Sequence, residues 1–232
     1  MKRILLVASL TFLVGLSLGL FFSSLFPKPV TLSPLQNSLT AQTSLNNNAR
    51  PVVTPSSVSG EKSEEPENAA LLELSYQLLE AMKSGDYGTL AAHVSSLGLR
   101  LTPYSTVDVD EDVVLSAAQV AAAAGDAALY HWGYTDGEGA PISLTITDYF
   151  DAYVFNADYT EAPSIGIDTV CQSGNALENV AEAYPGARFV EFHFPGLEPK
   201  NEGLDWCSLK LVFLRENGQW RLEGLIHSQW TI

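Results

Sequence analysis

Three stretches near the end of the chain decide the fold: Ser208-Leu209-Lys210-Leu211-Val212-Phe213-Leu214-Arg215, then Glu216-Asn217-Gly218, then Gln219-Trp220-Arg221-Leu222-Glu223-Gly224-Leu225-Ile226-His227-Ser228. Two β-branched and aromatic runs flank an Asn-Gly pair, which predicts a β-hairpin. Alternation puts Trp220, Leu222, Ile226 and Trp230 on one face of the last strand, with Arg221, Glu223, His227 and Gln229 on the other. Residues 187–194 repeat the pattern: Val190, Phe192 and Phe194 oppose Phe189, Glu191 and His193. A period of two with one apolar side predicts an antiparallel sheet resting one face on a core.

Upstream, helices are predicted. Leu71, Leu74, Leu78 and Met82 form one stripe, with Asn68 as N-cap and Gly85 just past the end. Asp86 then caps a short second helix through 90–94. Residues 98–101 read as a strand closed by Pro103, and Ser116-Ala117-Ala118-Gln119 as a capping box opening an alanine-rich helix. Strands are expected at 129–134, before the Asp136-Gly137 turn, and at 165–170. Thr145-Ile146-Thr147-Asp148 opens a helical segment, and a further short helix is expected at 175–183.

The N-terminal third has another character. Residues 4–26 are 23 uncharged residues behind Lys2 and Arg3. As a helix they extend about 34 Å, enough for a hydrocarbon core of about 30 Å, and the two basic residues hold the N-terminus inside. The apolar run continues past the small-residue site at Ser17-Leu18-Gly19, which favours an uncleaved anchor; cleavage and secretion is the alternative. Gly15-Leu16-Ser17-Leu18-Gly19 matches a nucleophile elbow, but a serine in a membrane helix has neither base nor water. The same glycines offer a helix-packing face, so a homodimer joins the expected partners. In residues 27–66, 23 of 40 are Pro, Ser, Thr, Asn or Gln, a composition too poor in large apolar groups to fold and expected to act as a disordered tether.

Residues 67–232 are sized for one α+β domain: N-terminal helices packed on a curved antiparallel sheet. With 7 Lys and Arg against 24 Asp and Glu, this part carries a net charge of −17. That field repels phosphate backbones and anionic headgroups, so no nucleic-acid partner is expected. Cys171 and Cys207 stand 36 residues apart, which leaves a disulfide and two free thiols both open.

Chemistry rests on few residues. Glu191 and His193 share a strand face, and His227 lies on the less apolar face of another strand. If those faces meet in an enclosed site, the three form a candidate catalytic set for general acid–base work, joined by Lys210 and Asp205. Trp132, Tyr153 and Trp206 are candidate walls of a ligand pocket. The acidic runs Asp136-Gly137-Glu138-Gly139 and Asp108 to Asp112 lack calcium-loop spacing, and no cofactor or metal motif occurs, so neither is expected.

Helices followed by a sheet with long final strands resemble the NTF2-like (SnoaL-like, cystatin-like) fold, as does Met82-Lys83-Ser84-Gly85-Asp86-Tyr87 before a short helix. Other fragments resemble an uncharacterised family of exported bacterial proteins and lipoproteins: Leu101-Thr102-Pro103-Tyr104, Trp132 to Gly139, Gly174-Asn175, Gly203-Leu204-Asp205-Trp206, and Gly224 to Ile232. The resemblance implies a cup-shaped domain but no activity. The expectation is a membrane-tethered extracytoplasmic binding domain, in the periplasm or at the cell surface, for a small molecule or envelope protein. A small hydrolase or lyase using Glu191, His193 and His227 is the alternative.

Overall fold

The computed structural model describes residues 61–232, with side chains from residue 64. The expected membrane segment and the spacer up to residue 60 lie outside the described residues. Among the described residues no helix is long and apolar enough to cross a membrane.

Helix α1 (Glu61–Ser84) starts seven residues before the expected cap, so Asn68 is not an N-cap and 61–66 are helical rather than spacer. Glu64 places negative charge in the first turn, at the amide end of the helix dipole. Farther along, Leu71, Leu78, Leu79 and Met82 are buried. The helix stops where Gly85 takes φ +68°, and the Asp86 N–H donates to Ala81 O at 2.8 Å. Asp86 then accepts from the Thr89 N–H and caps α2 (Tyr87–His93). Helix α3 (Ala117–Ala122) carries the full Ser116/Gln119 capping box.

Six strands make one sheet: β1 (Leu99–Thr102), β2 (Val113–Leu115), β5 (Ser164–Ile167), β6 (Arg188–Phe194), β7 (Cys207–Glu216) and β8 (Gln219–Gln229), in the order β2-β1-β8-β7-β6-β5. A separate hairpin joins β3 (Tyr130–Tyr134) to β4 (Pro141–Leu144). The sheet is mixed, correcting the antiparallel expectation, because β1 runs parallel to β8 with Leu101 opposite Leu225. A four-residue strand carries no local signal of its direction. The β7–β8 turn has Asn217 at φ +50° and Gly218 at φ +81°, the pair of positive values that suits the twist of a two-residue hairpin.

Register then sets every face. Val212 pairs with Gly224 but Phe213 pairs with Leu222, so Glu223 is an extra residue: a β-bulge. Leu222 and Leu225, three apart, therefore point the same way, joining Val190, Phe192, Leu209, Leu211 and Phe213 in the main core beneath α1, α2 and the β3–β4 hairpin. The opposite face is also covered. Val212 and Ile226 pack there against Val107, Val180 and Tyr184, brought by the loop after β1 and by the segment containing α4 (Val180–Ala183). Residues 207–213 are buried without a break, as in a strand enclosed on both sides.

Candidate functional site

Strand pairing places Glu191 opposite Lys210 and His193 opposite Ser208, all on the second face. Glu191 and Lys210 are both fully buried. Lys210 Nζ lies 2.8 Å from Glu178 Oε2 and 3.7 Å from Glu191 Oε1, and donates to Ser228 Oγ at 3.0 Å. Glu191 Oε2 accepts from the Cys171 N–H at 2.9 Å. Burial pushes the Glu191 carboxyl above the usual carboxylate range, with the Lys210 charge the largest influence opposing it. His193 Nδ1 and Ser208 Oγ share a hydrogen bond of 2.9 Å; Trp206 stands tilted beside the imidazole with centroids 6.0 Å apart, and burial holds the His193 pKa below its ordinary value. One ammonium is thus set between two carboxylates and a hydroxyl inside the protein, which is how a buried charge is made tolerable.

His227 is elsewhere. It pairs with Leu209, a main-core residue, so it points to the face opposite Glu191 and His193. Alternation counted without the bulge assigns His227 to the Arg221 face; the extra residue at Glu223 reverses that parity and moves Ile226 to the second face. His227 Nε2 and Gln229 Oε1 are 3.1 Å apart, the ring stands edge-on to Tyr153 at 6.0 Å, and Nδ1 has no partner among the described residues. Burial lowers its pKa from 6.5 to about 4, so it is a neutral core histidine at pH 7. The expected catalytic set of Glu191, His193 and His227 is split by the sheet.

The expected pocket residues are divided in the same way. Trp132 stacks on Tyr149 at 4.1 Å and Tyr149 on Tyr153 at 5.1 Å, while Trp132 Nε1 donates to Leu144 O at 2.9 Å. These rings pack against one another and hold the β3–β4 hairpin to the main core. Trp206 and Lys210 serve the second face. Cys207 belongs to the main core and Cys171 lies beside Glu191 on the other side, so the sheet separates two free thiols. The acidic run at 108–112 is folded around a cation of the chain itself. Arg100 Nη1 donates to the carbonyls of Val109 at 3.0 Å, Asp108 at 3.3 Å and Asp112 at 3.4 Å.

Asp205 leads to the surface. In the β6–β7 connection its Oδ2 accepts from the Glu198 N–H and from Asn201 Nδ2, both at 2.8 Å, tying a loop in which Glu202 (φ +52°) and Gly203 (φ +81°) turn left-handed. Leu204 and Trp230 emerge beside it, 60% and 40% exposed. Together Lys200, Asn201, Glu202, Leu204, Asp205 and Trp230 line an open groove of about 540 Å³. Sequence alternation assigned Trp230 to the core, because the bulge is invisible in composition; Leu204 gave no signal of exposure, standing in a Gly203-Leu204-Asp205-Trp206 run singled out only for its resemblance. Among the described residues no group of three or more His, Cys, Asp or Glu side chains is arranged to hold a metal ion. No protein-family model, curated protein or solved structure matches this chain.

Proposed function

We propose that this chain is a membrane-tethered extracytoplasmic binding module, with an NTF2-like domain that engages a ligand or envelope partner at its surface. The observation that carries the reading is the separation of Glu191 and His193 from His227 by the sheet, with the Glu191–Lys210 pair fully buried. General acid–base catalysis needs its groups within hydrogen-bond reach of one substrate, and no substrate reaches both faces of a packed sheet. Glu191 and Lys210 serve instead to join the second-face segment to the sheet through Glu178. What remains for function is on the outside, where Leu204 and Trp230 stand in the groove beside Asp205. The NTF2-like assignment draws support from the two leading helices and the long β6–β7–β8 order, and departs from the expected pattern at the parallel β1–β8 pair.

The anchor and orientation rest on residues 2–26. A reporter fused after Ile232 is expected to be active outside the cytoplasm, with the protein in the membrane fraction. Activity inside the cytoplasm ends the proposal; a shortened soluble form outside it ends the anchor and leaves secretion. For the binding surface, a photo-crosslinking residue at Leu204 in living cells is expected to give a discrete adduct that one at Leu129, exposed outside the groove, does not.

A further inference from the structure

The connection from β5 to β6 runs from Asp168 to Ala187 and contains one regular element, the four-residue α4. Connections of this length are uncommon in compact domains, and lids and binding loops account for many of them. Its two ends are pinned to each other. The Asp168 N–H donates to Phe189 O at 2.9 Å, Asp168 Oδ1 accepts from the Phe189 N–H at 2.9 Å, and Asp168 Oδ2 lies 2.6 Å from Arg188. Asp168 and Gly186 both turn left-handed, with φ +50° and +81°. A loop with joined ends can move over the sheet while β5 stays paired to β6.

The two halves of this loop are held differently. Val180 and Tyr184 are buried against Val212 and Ile226, whereas no residue from 168 to 179 is buried. The first half is tied by single polar contacts. The Cys171 N–H donates to Glu191, Asn175 Nδ2 donates to Thr231 O at 2.9 Å, and Leu177 O accepts from Thr106 Oγ1 at 2.8 Å. Asn179 bonds both the N–H and the carbonyl of Val107, and Glu178 reaches Lys210. On the sheet face that these contacts reach, Glu191, His193, Ser208, Lys210 and Ser228 are all buried and polar. Lifting 169–179 therefore uncovers groups that water solvates and little apolar surface. Segments with few buried apolar contacts open locally, well below the free energy of global unfolding.

We infer that residues 169–179 are a lid, latched by Glu178 on Lys210, over a site that takes a small carboxylate. The closed form displays the chemistry the site accepts. Of the two carboxylates, Glu178 is the nearer to the ammonium, 2.8 Å against 3.7 Å for Glu191, and it comes from the lid while Glu191 comes from the sheet. A ligand carboxylate that displaces Glu178 leaves the charge of the site unchanged, with the Ser228 hydroxyl already on the same ammonium. A phosphate would bring further negative charge beside Glu191, and a cation would face the Lys210 ammonium. The inference goes beyond the binding-module reading and does not rest on the groove beside Leu204.

The test uses the full chain in detergent micelles and a buffer free of carboxylates. Acetylation of Lys210, read by peptide mass, reports opening, because the amine is fully buried when the lid is closed; alkylation of Cys207, buried in the main core, reports global unfolding. Lys210 should be acetylated under native conditions in which Cys207 stays unmodified. Asn179→Ala, which frees the lid from Val107, should speed acetylation by about tenfold with Cys207 still protected, the effect of losing two hydrogen bonds. Modification of both groups in step, or an unchanged Lys210 rate in Asn179→Ala, overturns the lid. In Glu178→Ala the latch is vacated, and propionate in excess should slow Lys210 acetylation several-fold, while propionamide and sodium chloride at equal concentration should not. No protection by propionate, or equal protection by inorganic phosphate, overturns the carboxylate site.

Discussion

Lys210 is the residue on which the second face depends. Its ammonium supplies the counter-charge for Glu191 and Glu178 and donates to Ser228, and removing it strands Glu191 without a counter-charge in a fully buried site. Lys210→Met is expected to destabilise the domain by about 3–5 kcal/mol at pH 7, and adding Glu191→Leu should recover much of that, because an apolar pair tolerates burial better than a lone charge. Denaturant titrations of the singles and the double give the comparison. The same measurement tests the split of the histidines. Glu191→Gln and His227→Gln should add within about 0.5 kcal/mol, since they lie on opposite faces, whereas Glu191 and Lys210 should couple by more than about 1 kcal/mol. His227 has its own signature. Its folded pKa of about 4 lies below the ordinary 6.5, so between these values the unfolded chain binds more protons than the folded one. Stability from this group is full above pH 6.5 and is lost as pH falls towards 4, by about 3 kcal/mol at most. The raised Glu191 pKa acts with the opposite sign, so the two are separated by difference: wild type minus His227→Gln should show that slope over pH 4–6.5. A flat difference would mean the ring is hydrated.

At the scale of elements, the bulge in β8 explains both what packs and what was hidden. Gly224 sits just after it, and a Cβ there would collide with the Tyr184 hydroxyl and lie 2.8 Å from its Cζ. Gly224→Ala is therefore expected to cost about 1–3 kcal/mol by overpacking. Tyr184→Phe should itself be neutral or stabilising, because its buried hydroxyl has no partner among the described residues, and it should relieve part of the Gly224→Ala penalty. A Gly224→Ala variant as stable as wild type would place Tyr184 elsewhere. The signals that sequence carried well are those that close within five residues: the Gly85 stop, the Asp86 cap, the Ser116/Gln119 box and the Asn217-Gly218 turn. Each is chemistry between near neighbours. The bulge is set by partners far along the chain, and nothing in Leu222-Glu223-Gly224-Leu225 marks which residue is extra. The long strands β6, β7 and β8 were legible and so was the facing of β6, but β2 and β4 gave no signal and the facing of β8 was hidden, and the candidate site depended on that facing. The covering of the second face by Val107, Val180 and Tyr184 was hidden for the same reason, since loops leave no periodic trace. Lys210 read as a candidate site residue and is a buried ion-pair residue of the second face.

Across the whole molecule, the start of the folded domain is held by contacts that the first turns of α1 make with the sheet. Arg215 on β7 bonds Glu67 Oε1 at 2.6 Å, and Arg188 on β6 donates to Asn68 Oδ1 at 2.6 Å while pairing with Asp168. Exposed pairs of this kind are worth only about 0–1 kcal/mol each, but two of them fix successive residues of one helical turn. The boundary should therefore fall before residue 67 and not at it. A glutamate-specific protease makes this measurable, because Glu61, Glu64 and Glu67 offer three sites across the question, the Glu65–Pro66 bond being resistant. Limited digestion of the native chain is expected to cut at Glu61 first and to spare Glu67, leaving a resistant fragment whose mass reports its first residue. Arg215→Ala combined with Arg188→Ala should release the turn and let cleavage reach Glu67 while the core from Leu71 onward stays protected, since helix ends open locally at far lower free energy than packed turns. Cleavage after Glu67 as fast as after Glu61 in the unmodified protein would mean that the tether runs to Pro66, as composition alone implied, and that the two arginine contacts do not hold the first turns of α1.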